Sequence, residues 1–173
     1  METGKGYIRF VIVVIIAHTI GYLFAGGISY QLITKELWEG QDPLLSAYLR
    51  TPGNAELWNF AMIWQIPAQL LRSLLIGLVL LPLHSTLKEW SAGKTFLFIS
   101  SLLFVLTHLS SAAPSPANIE GLVYVKPEFI QLGFIKMQAE MILYSIIAGL
   151  VFCKFAYMKE TNRKLQMREK LEG

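Results

Sequence analysis

The sequence predicts an all-α fold, a four-helix transmembrane bundle with both termini in the cytoplasm. Only 16% of the 173 residues are charged and 54% are hydrophobic, whereas a soluble domain carries about 25% charged residues. A chain so poor in charge could not cover a water-facing surface, which favours a membrane protein. Four apolar runs of about 20 residues are each long enough to cross a hydrocarbon core of about 30 Å as a helix. We therefore predict a single integral membrane domain over residues 1–173.

The predicted spans lie at about 10–29, 60–83, 95–113 and 138–157, and a cytoplasmic tail follows at 158–173. The first run has two features of a secretion signal, since Lys5 and Arg9 precede it and small residues follow at 25–27. Its length and the polar pair His18 and Thr19 inside it favour a retained span instead.

Lysine and arginine residues outside the spans or close to their ends predict the orientation, because short basic segments resist translocation. Ten of them fall in the N-terminal segment, the second loop and the tail: Lys5, Arg9, Lys88, Lys94, Lys154, Lys159, Arg163, Lys164, Arg168 and Lys170. Four fall in the two longer loops: Lys35, Arg50, Lys126 and Lys136. This bias predicts that both termini are cytoplasmic and that the protein lies in the cell (cytoplasmic or inner) membrane.

The two outer loops are predicted to carry amphipathic segments. In the first loop, residues 33–49 mix acidic residues with leucine and aromatic residues, which indicates two short turns on the membrane surface. In the second outer loop, the prolines of SSAAPSPAN forbid a helix, and apolar residues follow at 128–135. We expect this loop to cover the outer face as a lid. The tail is expected to extend the fourth helix, because Glu160 and Lys164 have a helix-supporting spacing.

Small residues four apart predict where the helices approach closely, since lipid offers little hydrophobic gain for helix association. Such residues recur in three spans: Ala17, Gly21, Ala25 and Ser29; Ser73 and Gly77; Ser145 and Gly149. The four-step series in the first span is the strongest of these patterns. The sequence leaves open whether this series packs within the chain or against a second protein.

Polar residues inside the second span form the main candidate site. Gln65, Gln69 and Arg72 are spaced i, i+4, i+7 and therefore share one helix face. An arginine that faced lipid would cost several kcal/mol, so this face should point inward or into a wet cavity. Pro67 lies in the same turn and has no N–H for the carbonyl of Ile63, which leaves that carbonyl beside the polar face.

His18, His108 and Glu140 extend this predicted polar pocket to the other spans. With a rise of about 1.5 Å per residue, His18 and Arg72 lie about 10–15 Å from the inner boundary and His108 lies about 20 Å from it. We expect His18 to share a layer with Arg72, and His108 to pair with the Glu140 carboxylate.

Four interpretations of these polar residues compete. In the first they are structural contacts between helices. In the second they bind an anion, a lipid headgroup or a substrate in a small transporter or lipid-binding protein, with Arg72 holding the anionic group. In the third His18 and His108 ligate a b-type haem, although their different depths count against one shared iron. In the fourth a histidine acts as acid or base in an intramembrane enzyme.

Motifs of soluble and membrane enzymes are missing from the sequence. It contains no Gly-x-Ser-x-Gly, His-Glu-x-x-His or Cys-x-x-Cys pattern, and SAGKT at 91–95 lacks the upstream glycine of a phosphate loop. A single cysteine, Cys153, excludes an intramolecular disulfide, and three histidines do not make a convincing metal site. Because the basic residues flank the spans, nucleic acid is not an expected partner.

These observations favour a non-enzymatic accessory or interaction subunit of a membrane assembly, with neither a metal nor a cofactor. Its expected partners are membrane lipids and other membrane proteins, or a second copy in a homo-oligomer. The alternatives are a small transporter or lipid- or anion-binding protein that uses Arg72, and then a haem protein.

Overall fold

A computed structural model describes residues 4–39, 49–110, 115 and 117–172. Every regular element in this part of the chain is a helix, which confirms the all-α prediction there. The first half contains α1 (Gly4–Ser29), a π-helical turn (Tyr30–Thr34), α2 (Lys35–Glu39), α3 (Ala55–Leu80), a 3-10 turn (Leu81–Leu83) and α4 (His84–Glu89). The second half contains α5 (Ala92–Phe104), a second π-helical turn (Val105–Leu109), α6 (Ile119–Tyr124) and α7 (Pro127–Glu172).

Three helical segments are long and apolar enough to cross a membrane: Gly4–Glu39, Ala55–Glu89 and Lys136–Ala156. They contain nearly all of the predicted first, second and fourth spans. The remaining apolar segment is shorter, since α5 has 13 residues and continues through the second π-helical turn to Leu109. The end of the predicted third span, 111–113, lies outside the described residues.

Side-chain caps fix where α3 and α5 begin. The Asn54 side chain accepts a hydrogen bond from the Leu57 backbone nitrogen at 3.1 Å, and Ser91 Oγ accepts one from the Lys94 nitrogen at 3.3 Å. Both bonds satisfy N–H groups that have no partner inside the helix. Trp90, the residue before the second cap, is extended, so the chain turns sharply between α4 and α5. Residues 91–95 therefore form a capped helix start.

Helix α7 is 46 residues long and continues beyond its apolar part at both ends. Residues 128–135, predicted to belong to an outer loop, are helical. Pro127 stands at the first position of this helix, where proline is favoured because its missing N–H would have no partner there. The tail is helical to Glu172, as predicted. In the other outer loop, α2 covers Lys35–Glu39, and residues 40–48 lie outside the described part.

The long helices pack in the order α3, α1, α7, α5. Helix α1 contacts α7 most extensively and also contacts α3, and α7 in turn contacts α5. Arg9 of α1 donates a hydrogen bond to the carbonyl of Phe155 in α7 at 3.2 Å. At the other end of α1, Ser29 lies beside Glu140. We call the end of the molecule that holds Arg9 the proximal end, and the end that holds Ser29 the distal end.

The small-residue series of α1 packs within the chain, against α7. A Cβ atom added at Gly21 would lie 2.8 Å from the Ala148 Cβ and 3.1 Å from the Ala148 nitrogen. Farther along the series, Ala25 and Ser29 are 1% and 0% exposed. The two backbones are therefore in direct contact, which is how small residues hold helices together in lipid.

Glycines also line the two other helix contacts. A Cβ added at Gly77 of α3 would lie 3.2 Å from Val11 Cγ1 of α1, and one added at Gly149 of α7 would lie 3.1 Å from Phe96 Cδ2 of α5. Between these contacts lies an apolar core formed by Phe10, Val13, Val14, Ala17, Ala25, Leu80, Leu87, Ile99, Leu103, Tyr144, Ala148 and Phe152.

Candidate functional site

A hydrogen-bonded group of polar side chains joins α1, α3 and α7 in the distal half of the molecule. His18 of α1 is its centre and is only 3% exposed. The Nδ1 atom of His18 lies 2.5 Å from the Tyr144 hydroxyl of α7, and its Nε2 atom lies 3.0 Å from Gln69 Oε1 of α3. We call His18, Tyr22, Gln69 and Tyr144 the polar layer. Three membrane-length segments thus share hydrogen bonds where the surroundings are apolar.

The partners of His18 determine which of its nitrogens carries a proton. An amide oxygen can only accept a hydrogen bond, so His18 Nε2 must donate to Gln69 Oε1. In the neutral imidazole Nδ1 is then an acceptor, and the Tyr144 hydroxyl donates to it. One consequence is that both nitrogens of this buried ring are satisfied within the chain.

Tyr22 continues the polar layer on the same face of α1, one turn after His18. Its ring lies within interaction range of the Gln69 amide, which accepts the hydrogen bond from His18 Nε2.

Arg72 lies one turn beyond Gln69 on α3 and is exposed. It follows Gln69 by three residues, so the two side chains share one face of the helix. Helical side chains lean towards the N-terminus of their helix, which for α3 is the distal end. An arginine at this position is therefore expected to lean towards the polar layer.

Glu140 lies in the distal part of α7 and supplies the opposite charge. Ser29 Oγ donates a hydrogen bond to Glu140 Oε2 at 2.9 Å. This hydrogen bond joins the distal part of α7 to the end of α1.

His108 belongs to the second π-helical turn and is tied to α7 through Gln138. Its Nε2 atom lies 3.1 Å from Gln138 Oε1, and the Gln138 amide nitrogen donates to the carbonyl of Ala117. The Asn118 side chain in turn accepts from the Ser115 nitrogen at 3.1 Å. Gln138 therefore joins the segment around Ala117 and Asn118 to the distal end of the bundle. The sequence predicts a lid close to this position.

The predicted site residues fall into two groups in the structure. Gln69 is hydrogen-bonded to His18, and Arg72 follows Gln69 by three residues on the same helix. Gln65 instead donates to Met62 Sδ of its own helix at 3.5 Å. His108 does not pair with Glu140 as expected. It bonds to Gln138, and Glu140 accepts a hydrogen bond from Ser29.

Three side chains of the site were missed from the sequence: Tyr22, Tyr144 and Gln138. Their positions carried a usable signal, since Tyr22 follows His18 by four residues and Tyr144 follows Glu140 by four residues, which places each pair on one helix face. Tyrosines in membrane helices are usually assigned to the interface, where amphipathic rings are enriched. This general preference gave no reason to expect that the Tyr144 hydroxyl bonds to the buried His18 ring.

The polar residues differ from known metal and haem sites in the ligands that they bring together. Within the described residues there is no group of three or more His, Cys, Asp or Glu side chains that could hold a metal ion. A haem iron held by His18 and His108 would have to displace one of the hydrogen bonds described above at each ring.

No protein-family model, curated protein sequence or solved structure matches this chain.

Proposed function

We propose that the chain is a multi-pass protein of the cell membrane, in which four spans form a helical bundle and both termini are cytoplasmic. The three membrane-length segments and the shorter α5 segment support the number of spans. The ten Lys and Arg residues near the two termini and in the short loop between the second and third predicted spans support the orientation. The proximal end would then face the cytoplasm.

This topology makes a simple prediction. A reporter that is active only outside the cytoplasm, fused after Gly173, should be inactive, because α7 would end on the cytoplasmic side. The same reporter inserted near Asn54, at the distal end of α3, should be active and serves as the control. An active fusion after Gly173 would overturn the proposed orientation.

We further propose that the polar layer binds the anionic group of a membrane amphiphile, with Arg72 as its main contact. The observation that carries this proposal is the position of Arg72 on α3, three residues after Gln69 and on the face that the His18 and Tyr144 hydrogen bonds join to α1 and α7. Arginine remains charged at every physiological pH, and its fork of donors matches phosphate and carboxylate oxygens.

The surroundings of Arg72 suit a lipid-like ligand. Leu71, Leu75 and Val79 on the same helix are 59%, 54% and 77% exposed. An acyl chain can lie along these side chains while the headgroup reaches the guanidinium. Because charges interact strongly in a low dielectric, a cation in these surroundings would bind an anionic group far better than it would in water.

The lipids that co-purify with the protein test this proposal. Native mass spectrometry in mild detergent should detect a bound anionic-group amphiphile on the wild type and its loss in Arg72→Met, with unchanged helical circular dichroism. Gln65→Leu is the matched control, since Gln65 lies on the same helix but bonds to Met62, and it should keep the lipid. Retention of the same lipid by Arg72→Met in equal amount would refute the role of Arg72.

A second candidate, an accessory or interaction subunit of a larger membrane assembly, is supported by the one-sided packing of α3. Of the extended contacts between long helices in the described residues, α3 takes part in one, with α1. Its membrane-length segment is the least buried of the three. A helix attached on one side offers its other side to another membrane protein or to a second copy of this chain.

Site-specific cross-linking separates this candidate from lipid binding. A photo-reactive residue in place of Leu75 should capture a protein if α3 is an interface, whereas one in place of Leu97 on α5, which is 65% exposed, should capture lipid. Capture of lipid alone at both positions would remove the subunit candidate. The haem alternative has its own test, because a purified protein without a Soret band contains no haem.

A further inference from the structure

We propose that a cavity at the distal end of the molecule binds the headgroup of a phospholipid that carries both a phosphate and a primary ammonium group. The cavity has a volume of about 600 Å³ and is lined by the first π-helical turn, by α2 and by Lys136 of α7. This volume is typical of small-molecule sites in proteins. The inference rests on the proposed placement of the chain in a membrane and does not involve Arg72.

The cavity lies at the level where two membrane-length segments meet the distal boundary. Its walls belong to the last residues of the segment Gly4–Glu39 and to the first residue of the segment Lys136–Ala156. In the proposed topology this level is the outer edge of the hydrocarbon core, where the headgroups of phospholipids lie. A phospholipid headgroup is therefore present in the bilayer at the height of this cavity.

Four charged side chains of the lining form two ion pairs. Lys136 Nζ lies 3.6 Å from Glu36 Oε2, and Lys35 Nζ lies 3.8 Å from Glu39 Oε2. Glu39 also accepts a hydrogen bond from the Tyr30 hydroxyl. Both ion-pair distances exceed the about 2.7–2.9 Å of a charge-assisted hydrogen bond, and exposed pairs of this kind contribute little stability. These charges can therefore exchange their present partners for the groups of a ligand.

The balance of charge in the lining determines which ligand fits. Two lysines offset two glutamates, so an anion bound to the lysines would leave both carboxylates without a partner, and a cation would do the converse. A headgroup with both charges can pair with all four side chains. A primary ammonium group has three N–H donors for the carboxylates, whereas a quaternary ammonium group has none. The lining therefore favours phosphatidylethanolamine over phosphatidylcholine and phosphatidylglycerol.

An exposed apolar track leads from the cavity towards the middle of the membrane. Leu32 lines the cavity, and Ile28 and Phe24 precede it at intervals of four residues, so the three side chains lie on one side of the helix. They are 78%, 40% and 60% exposed, respectively. Eight residues of helix span about 12 Å, over which an acyl chain can contact these side chains. This track is the reason to assign a lipid to the cavity instead of a soluble zwitterion.

Photo-cross-linking from the apolar track reports which lipid occupies the cavity. Full-length protein with a photo-reactive residue in place of Ile28 is reconstituted in vesicles that contain equal amounts of phosphatidylethanolamine, phosphatidylglycerol and phosphatidylcholine with identical acyl chains. Mass spectrometry counts the captured lipids. We expect phosphatidylethanolamine to be captured about threefold more often than either other lipid, a preference of the size that exposed ion pairs provide. The matched position is Leu97 on α5, which is 65% exposed and should capture the three lipids equally.

Two substitutions in the cavity should shift the lipid preference in opposite directions. Glu36→Gln gives the lining a net positive charge, so the preference for phosphatidylethanolamine over phosphatidylglycerol should fall to about onefold. Lys136→Gln gives the lining a net negative charge, which repels phosphatidylglycerol more strongly and should increase the same preference. Glu56→Gln is the control, since Glu56 is an exposed carboxylate in the first turn of α3, and it should keep the wild-type preference.

The outcomes separate this inference from the proposal on which it rests. Equal capture of the three lipids from position 28 in the otherwise wild-type protein would overturn the inference. The same shift in Glu36→Gln and in Glu56→Gln would also overturn it, because the effect would then be one of overall surface charge. Failure to capture any lipid from both position 28 and position 97 would instead contradict the proposed placement in the membrane.

Discussion

Helix α1 holds its two main neighbours by different means. Towards α7 it presents small residues, and the backbones touch where a Cβ on Gly21 would meet Ala148 at 2.8 Å. Towards α3 it uses a glycine contact near the proximal end and, farther along, the hydrogen bond from His18 to Gln69. The first contact is rigid because close-packed atoms have no room to move. The second contact depends on polar groups that can exchange partners, which is what a ligand site in a membrane requires.

The small-residue contact should give the largest response to a single substitution. Gly21→Ala adds a methyl group against the Ala148 backbone, so the helices must move apart, and we expect a loss of about 1–3 kcal/mol of stability. Thermal or denaturant unfolding in detergent measures this loss. Gly26→Ala is the matched control in the same helix, since nothing lies within 4 Å of a Cβ there. Equal stability of the two variants would show that α1 and α7 are not in backbone contact.

The polar contact between α1 and α3 should respond less strongly. Gln69→Leu removes the acceptor for His18 Nε2, and we expect a loss of about 1–2 kcal/mol, the size of a polar contact between membrane helices. Gln65→Leu, whose amide bonds to Met62 of the same helix, should change stability by less than about 0.5 kcal/mol. A larger effect at Gln65 than at Gln69 would contradict the placement of the polar layer.

A single hydroxyl in the polar layer should have a small effect. Tyr144→Phe removes the donor to His18 Nδ1 and keeps the ring, so we expect a loss of about 1 kcal/mol. The change can be followed by the nitrogen chemical shifts of His18, because Nδ1 loses its donor while Nε2 keeps Gln69. Unaltered His18 shifts in Tyr144→Phe would remove Tyr144 from the polar layer.

The helical class and the positions of the apolar helices could be predicted from the sequence, because membrane helices need long uninterrupted apolar runs. The length of α7 could not, since apolar residues at 128–135 fit a surface loop as well as a helix that starts at Pro127. The π-helical turns at Tyr30–Thr34 and Val105–Leu109 also left no recognisable pattern, because a local change of hydrogen bonding does not require a particular residue type.

The candidate site was partly predictable for a similar reason. Spacing along one helix is visible in a sequence, so Gln69 and Arg72 could be assigned to one face, and Tyr22 and His18 could have been. Contacts between helices depend on register, which the sequence does not specify. His108 therefore meets Gln138 rather than Glu140, and Gln65, on the predicted face by spacing, bonds within its own helix.

The affinity of the purified protein for one defined phospholipid tests the central claim most directly. Titration of a headgroup-labelled phospholipid into wild-type protein, Arg72→Met and Gln65→Leu yields three dissociation constants under one condition. Loss of one charge-assisted contact predicts binding at least about tenfold weaker in Arg72→Met and nearly unchanged in Gln65→Leu. Equal affinity of the wild type and a folded Arg72→Met protein would contradict the assignment of the polar layer as a binding site.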